Sequence, residues 1–302
     1  MRPLTETTFR LTGRTSGEPA LLVRRVAGRG PSVIFVHGAT FPSALSFNWR
    51  FEGWCWAEDV AARDLDAWSL DFAGFGGSDR PSGFAQAADA GPPLLRAPEA
   101  ADQLARVVDH VLAATGQARV SLLSHSWGSQ PAGLLAAREP DKIARLVLFA
   151  PFAERQGDPP AEPPPAWRRM TVAAQLARMT ADTPPDNPSV LLDPELAAWG
   201  PAYLATCPDR GEGVKAPGGP LADVQAAWGG ALPWDPGEVR APTLIVRGAW
   251  DSHCNDADAA WLAGRLSAVE TWDVRIAAAG HMAHLEQGRD RLFAATGAFL
   301  TA

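Results

Sequence analysis

The stretch RVSLLSHSWGSQPAGLLAA, residues 119–137, decides how this chain is read. An apolar run of strand length stops at Ser124-His125-Ser126, a Trp follows, and small residues lead into a second apolar run. A strand that simply ended would need none of this. A strand that turns sharply into a helix would, because the side chains two positions before and after the turn residue crowd each other and must be small. Gly128 meets that need and Ser124 meets it less completely. Such a turn presents the Ser126 hydroxyl at the strand end. The helix beyond aims its free N–H groups at the same spot, where they favour developing negative charge.

Outward from this stretch the pattern repeats. SVIFVHG (32–38), DAWSLDF (66–72), RVSLLS (119–124), RLVLFA (145–150), TLIVRG (243–248) and WDVRIAA (272–278) each read as a strand. Several are apolar almost throughout, as in a parallel sheet buried on both faces. TFRLTG and ALLVRR form a candidate antiparallel start. In 99–115 Leu104, Val107, Val108, Val111 and Leu112 share one helical face, with Pro98 before and Gly116 after. Segments 256–266 and 287–300 also read as helices. The alternation predicts an α/β fold with a mostly parallel, doubly wound sheet flanked by helices.

Two stretches interrupt it. Residues 80–98 are rich in Pro, Gly and Ala and read as a loop. Residues 152–242 open on the proline-rich GDPPAEPPPAWRR, carry a helical WRRMTVAAQLARM, and hold Trp167, Trp199, Trp228 and Trp234. So long an excursion reads as an inserted cap, or lid, on a core formed by 1–151 and 243–302. Pro131, early in the helix after Ser126, is expected to disturb its first turn unless that helix starts late.

Composition narrows the classes. The net charge of −7 argues against a nucleic-acid binder. Lys142 and Lys215 are the only lysines, a matter of composition and not of chemistry. Cys55, Cys207 and Cys254 are few and scattered, which suits free thiols in a reducing compartment. The first residues lack an apolar segment and no 20-residue apolar window occurs, so a cytoplasmic protein without a membrane partner is expected. A monomer and a homodimer are both compatible with the sequence.

Four motifs together resemble the α/β-hydrolase fold superfamily. VIFVHGAT is similar to its strand and oxyanion loop, LDFAGFGGSDRP to its D-x-x-G-x-G-x-S stretch, and SHSWGS to its nucleophile elbow. TLIVRGAWDSHC and AAAGHMAHLEQ are similar to the strand ends that carry the acid and the histidine. The order Ser126, Asp251, His281 is that of the family. The resemblance implies Ser126 as nucleophile, His281 as general base and Asp251 as its orienting acid. It implies an oxyanion hole from the backbone N–H groups of Ala39 and Trp127.

Rivals remain at each position. Ser124 stands two residues from Ser126, His284 three from His281, and Glu154 is a substitute acid. Asp256 and Asp258 suit the start of a helix. His37 reads as a support of the oxyanion loop, His125 as a packed neighbour of the elbow and His110 as a helix residue. DSHCND lacks a metal-ligand framework, so neither metal nor cofactor is expected.

A serine at the nucleophile position argues against the haloalkane dehalogenase and epoxide hydrolase branches, which need a carboxylate there. It fits a carboxylic ester or lactone of a small hydrophobic molecule, cleaved through an acyl-enzyme. Carbon–carbon hydrolysis or a lyase reaction on the same triad is the alternative; an aminopeptidase or a non-catalytic ligand receptor ranks lower. Thr40, Phe41, Phe152, Trp167, Trp228 and Trp234 are candidates to line an apolar pocket for an uncharged group, with Trp49 a further aromatic neighbour.

Overall fold

In the computed structural model, which describes residues 5–158, 162–187, 191, 195–209 and 211–302, the apolar runs stand side by side in one sheet. Its eight strands are β1 (Glu6–Leu11), β2 (Leu21–Val26), β3 (Ser32–Val36), β4 (Asp66–Asp71), β5 (Val120–His125), β6 (Ile143–Phe149), β9 (Thr243–Gly248) and β10 (Thr271–Ile276). They lie in the order β1-β2-β4-β3-β5-β6-β9-β10. β1 pairs antiparallel with β2, and β2 with β4; every other pair is parallel. β3, β4, β5 and β9 bury every residue, as strands covered on both faces must.

Successive side chains point to opposite faces and feed two separate cores. Ile34, Leu122, Leu146 and Ile245 meet Leu104, Val108 and Val111 of α2 (Ala97–Thr115), Leu134 and Leu135 of α3 (Ser129–Arg138), and Leu262 of α7 (Asp256–Arg265). Their neighbours Phe35, Leu123, Val147 and Leu244 meet Trp56 and Val60 of α1 (Trp56–Ala62) and Leu292 and Phe299 of α8 (Arg289–Thr301). Helix α1 was not anticipated; seven residues are too few for a periodic signal. Among the described residues no helix is long and apolar enough to cross a membrane.

Between β6 and β9 the chain forms β7 (Trp167–Met170), α4 (Val172–Thr180), α5 (Glu195–Ala205), β8 (Val214–Pro217) and α6 (Gly219–Trp228). Pro159, Pro160 and Ala161 of the proline-rich opening lie outside the described residues. Trp167–Met170, expected to begin a helix, instead pairs antiparallel with β8. The helix starts after Thr171, whose Oγ1 accepts from Ala174 N at 3.1 Å. A strand whose partner lies more than 40 residues away leaves no local signal, so helical spacing prevailed in the reading.

This segment packs on the core through a third cluster. Met170, Met179, Leu196, Trp199 and Tyr203 meet Phe41, Leu45 and Phe51 from the loop after β3, and Met282 and Leu285 near the chain's end. Helix α6 is tied in separately. Asp223 on it accepts from Ala97 N at 2.7 Å and from Trp127 Nε1 at 2.9 Å, and pairs with Arg96.

The turn after β5 is tight. A 3-10 turn, Ser126–Gly128, precedes α3. The late start resolves the difficulty at Pro131, which falls in the first α-helical turn, where an N–H is dispensable. Gly128 lies against β3: a Cβ there would sit 2.5 Å from the His37 carbonyl oxygen and 2.6 Å from that of Val36. Backbone cannot retreat from such an approach as a flexible side chain can. Gly128→Ala is therefore expected to cost about 1–3 kcal/mol of stability, read from the urea midpoint. An unchanged midpoint would show that β3 is free to shift.

Candidate active site

Ser126 is one of few non-glycine residues with positive φ, at 57°. For an L-residue this left-handed backbone is strained by roughly 1–2 kcal/mol, and it is held by the packing on either side. His125 ends β5 in extended conformation and Gly128 is pinned to β3. Ser124, in place of the usual glycine, fits because its Oγ turns away and donates to the Val147 carbonyl at 2.9 Å.

The turn places Ser126 Oγ 2.8 Å from His281 Nε2. His281 Nδ1 lies 3.0 and 3.1 Å from the two oxygens of Asp251. The three come from the ends of β5 and β9 and from the loop after β10, and all are buried. Ser124, His284 and Glu154 take no part in this chain of contacts.

Asp251 is fixed by its own loop. Its Oδ1 accepts from His253 N at 2.8 Å and Cys254 N at 3.0 Å. Burial alone would raise its pKa. The charge of His281 and these hydrogen bonds outweigh that and hold the carboxyl below its usual value. Asp258 caps α7 through the N–H of Asn255 and pairs with Arg155, while Asp256 pairs with Arg247 at the surface.

Three other histidines surround His281. His125, His253 and His284 lie within ring distance of it or of one another: His125–His281 5.2 Å, His253–His281 4.7 Å and His125–His284 4.4 Å. Burial, then the neighbouring imidazoles, keeps each well below the ordinary histidine value: His253 at about 4 and His284 at about 3. His125 Nε2 sits 3.1 Å from the His281 carbonyl, and His284 Nε2 3.0 Å from Ser46 Oγ. His253 was not singled out from the sequence, where only its nearness to Asp251 pointed to it.

The loop expected to supply part of an oxyanion hole follows β3. A Cβ on Gly38 would approach Ser126 Cβ to 3.2 Å, so the backbone at Gly38-Ala39 borders the nucleophile candidate directly. Trp127, whose backbone N–H is the second expected donor, directly follows Ser126 in the chain. His37 stays below its usual pKa through burial and accepts from Phe72 N at 3.1 Å through Nε2. Asp71 accepts from Ser43 N at 3.0 Å and Gly77 N at 3.2 Å. The loops after β3 and β4 thereby brace each other. His110, by contrast, packs on Phe9 far from these groups, its ring 5.0 Å from that of Phe9.

The expected pocket residues divide. Phe152 lies 6.0 Å from the His281 ring and meets Trp228, which lies 6.0 Å from His253. Thr40 and Phe41 lie in the loop after β3. Trp167 and Trp234 stand elsewhere. Trp167 donates to the Gln86 carbonyl beneath Lys215, and Trp234 packs on Gly133 of α3. Their spacing among prolines suggested a cap wall, but each fills a gap between elements. Trp49 flanks Ala198 and Asn48, also away from Ser126.

Asp251, His253 and His281 form one group of metal-type ligand atoms, within 4.8 Å of each other. Two of them already bond to each other, and a cation there would break that bond. The donor chemistry therefore fits a hydrogen-bonded relay better than a metal centre. The three cysteines are buried and unpaired.

Two carboxylates sit behind His281 and were not foreseen. Asp182 accepts from His281 N at 3.0 Å, and Glu286 accepts from Gly280 N at 3.0 and 3.2 Å. Burial, with the charge of Asp182 beside it, pushes Glu286 up to about 7, against the pull of the Gly280 N–H. A carboxyl whose pKa is raised on folding stabilises below its unfolded value and loses that stability as pH rises through its folded value. Wild type is thus expected to lose stability relative to Glu286→Gln between about pH 5 and about pH 8. Parallel thermal-unfolding profiles of the two proteins over that range would refute this.

A family model described as the alpha/beta hydrolase fold matches residues 31–287. No curated relative matches the sequence. Among solved structures, a thermophilic esterase from Thermogutta terrifontis is 21% identical with a TM-score of 0.61, covering 98% of each chain. The 2-hydroxy-6-oxo-6-phenylhexa-2,4-dienoate hydrolase from Rhodococcus sp. strain RHA1 is 16% identical with a TM-score of 0.67, covering 99% of this chain and 100% of that one. A thioesterase domain from the curacin biosynthetic pathway is 14% identical with a TM-score of 0.66, again covering 99% and 100%. At these identities the likeness is one of fold.

Proposed function

This chain belongs to the α/β-hydrolase fold family, and from that premise we propose that it hydrolyses a carboxylic ester or lactone through an acyl-enzyme on Ser126. The observation that carries this reading is the unbroken contact from Ser126 Oγ through His281 to Asp251, 2.8 Å and then 3.0 Å. A serine hydroxyl is a weak nucleophile until a base takes its proton.

In this reading Ser126 Oγ attacks the carbonyl carbon as its proton passes to His281 Nε2. Asp251 holds the ring in the tautomer that presents Nε2 to the serine and stabilises the imidazolium that forms. The N–H groups of Ala39 and Trp127 receive the negative oxygen; such a donor is worth about 2.7–4 kcal/mol at the transition state. His281 then returns the proton to the leaving alcohol. Water attacks the acyl-enzyme by the same route in reverse and frees the acid.

Phe152 and Trp228 supply an apolar wall beside His281. Ser126 is only 5% exposed, so the substrate reaches it once part of the segment 152–242 moves aside. We take α4 and α5, which rest on the oxyanion loop through Phe41 and Trp199, as that lid.

Purified protein assayed on p-nitrophenyl esters of graded acyl length is expected to turn over, with the preferred length sizing the pocket. Ser126→Ala should lose on the order of 10⁶ in kcat, and Asp251→Asn about 10⁴. Intact-mass detection of an acyl adduct on wild type but not on Ser126→Ala would mark the intermediate. Equal rates in wild type and Ser126→Ala would end this reading.

A further inference from the structure

The walls near His281 are apolar, but the lid side of the oxyanion loop is not. Arg178 on α4 donates through Nη1 to Thr40 Oγ1 at 3.1 Å and to Gln175 Oε1 at 3.3 Å. Both acceptors are neutral. Arg168 on β7 is close enough for its charge to act on Arg178. Burial holds both guanidiniums below the usual arginine value, and for Arg178 the repulsion from Arg168 adds to it. Arginine nonetheless stays protonated in a protein, so the cost remains in the fold.

Among the described residues no carboxylate lies within ion-pair distance of Arg168 or Arg178. Asp182, just beyond α4, is engaged elsewhere: its oxygens accept from His281 N at 3.0 Å and Ser252 N at 3.3 Å. The surplus of donors goes further. Gln175 is 0% exposed and its Nε2 has no partner. Arg168 Nε is likewise buried and unpartnered. Buried donors left unpaired are rare because each costs the desolvation it never recovers. Here they gather around one guanidinium, and the component missing is an acceptor with negative charge.

The cluster also has the right address. Thr40, which Arg178 contacts, directly follows Ala39 of the candidate oxyanion hole. Tyr203, which feels both arginines, donates to the Thr40 carbonyl at 3.2 Å. The charge of Arg178 reaches His125 and His253, whose rings lie 5.2 and 4.7 Å from that of His281.

We propose that Arg178, with Arg168 and Gln175, forms a carboxylate subsite, and that the ester attacked by Ser126 carries a carboxylate near its scissile carbonyl. The assignment rests on the serine-hydrolase reading of the same cleft. A guanidinium fork matches the two in-plane oxygens of a carboxylate, which a point-charge lysine does not. The substrate is thus anionic at one end, where the sequence led to an uncharged one.

The test compares charged esters with neutral counterparts by pH-stat. Monoethyl succinate, glutarate and adipate place the charge in the acyl part, and 4-acetoxybutanoate places it in the alcohol. Ethyl pentanoate and butyl acetate are the neutral partners. In wild type the best anionic ester is expected to exceed its neutral partner in kcat/KM. In Arg178→Met that ratio should fall about 30-fold or more, mostly through KM, with part of it restored in Arg178→Lys.

A second measurement does not depend on turnover. Glutarate is expected to bind Ser126→Ala in calorimetry and to raise its thermal midpoint, and both effects should vanish when Arg178→Met is added. Without glutarate, Arg178→Met should raise the midpoint, because an unpaired charge has left the interior. A merely structural arginine would move it down. Glutarate binding that depends on Arg178, with every ester inert, supports the subsite and removes the hydrolase reading. Ser126-dependent cleavage of neutral esters with no charge preference and no glutarate binding keeps the hydrolase reading and overturns the subsite. Tighter binding of inorganic phosphate than of glutarate overturns the carboxylate assignment.

Discussion

The backbone at Ser126 is held in the left-handed region by two close approaches, and the site is arranged around them. Gly128 lies against the carbonyls of Val36 and His37, and Gly38 lies against Ser126 itself. A Cβ on Gly128 would force main chain to move, and one on Gly38 would press on Ser126 Cβ and the His125 ring. The end of β3 and the turn after β5 are therefore one rigid object, held by parallel pairing of Val33–Val36 with Ser121–Ser124. Rigidity here has a chemical meaning. Ser126 Oγ is set toward His281, and in the proposed reaction the backbone N–H groups of Ala39 and Trp127 would meet the developing charge without any side chain having to reorganise.

Around that object the electrostatics are uneven. One flank holds carboxylates: Asp251 beside the imidazole, with Asp182 and Glu286 behind its backbone. The opposite flank, on β7 and α4, holds Arg168 and Arg178, with no carboxylate at ion-pair distance among the described residues. Between them three histidines are kept uncharged, chiefly by burial. A neutral imidazole packs as an aromatic ring and accepts or donates a single hydrogen bond without adding charge. That is how three further imidazoles can pack around His281 without adding charge to the site.

How much of this was legible in the sequence depends on how local each feature is. β3, β4, β5, β6 and β9 show themselves as short apolar runs because both their faces are buried. Ser126, Asp251 and His281 were found because each follows a strand end with its own motif, and the structure brings them together. Trp167–Met170 was misread because its strand partner lies at Val214–Pro217. Trp167 and Trp234 were grouped with the pocket on composition alone, which says nothing of direction. Arg178, Gln175, Asp182 and Glu286 were invisible for the same reason. Nothing marks an arginine in a helix as unpaired until its neighbours in space are known.

Helix α6 bears on a different question, that of how such a protein can change. An inserted segment is exchangeable between relatives only if its host remains whole without it. Asp223 breaks that condition. It is the common acceptor for the Trp127 indole at the elbow, the first N–H of α2 and the Arg96 side chain. Replacing the whole segment would leave a fully buried indole N–H and a helix start without an acceptor, beside the nucleophile itself. Helix α6 is thus bound to the core at the start of α2 and beside Ser126, so the segment between β6 and β9 cannot be exchanged whole without remaking those bonds.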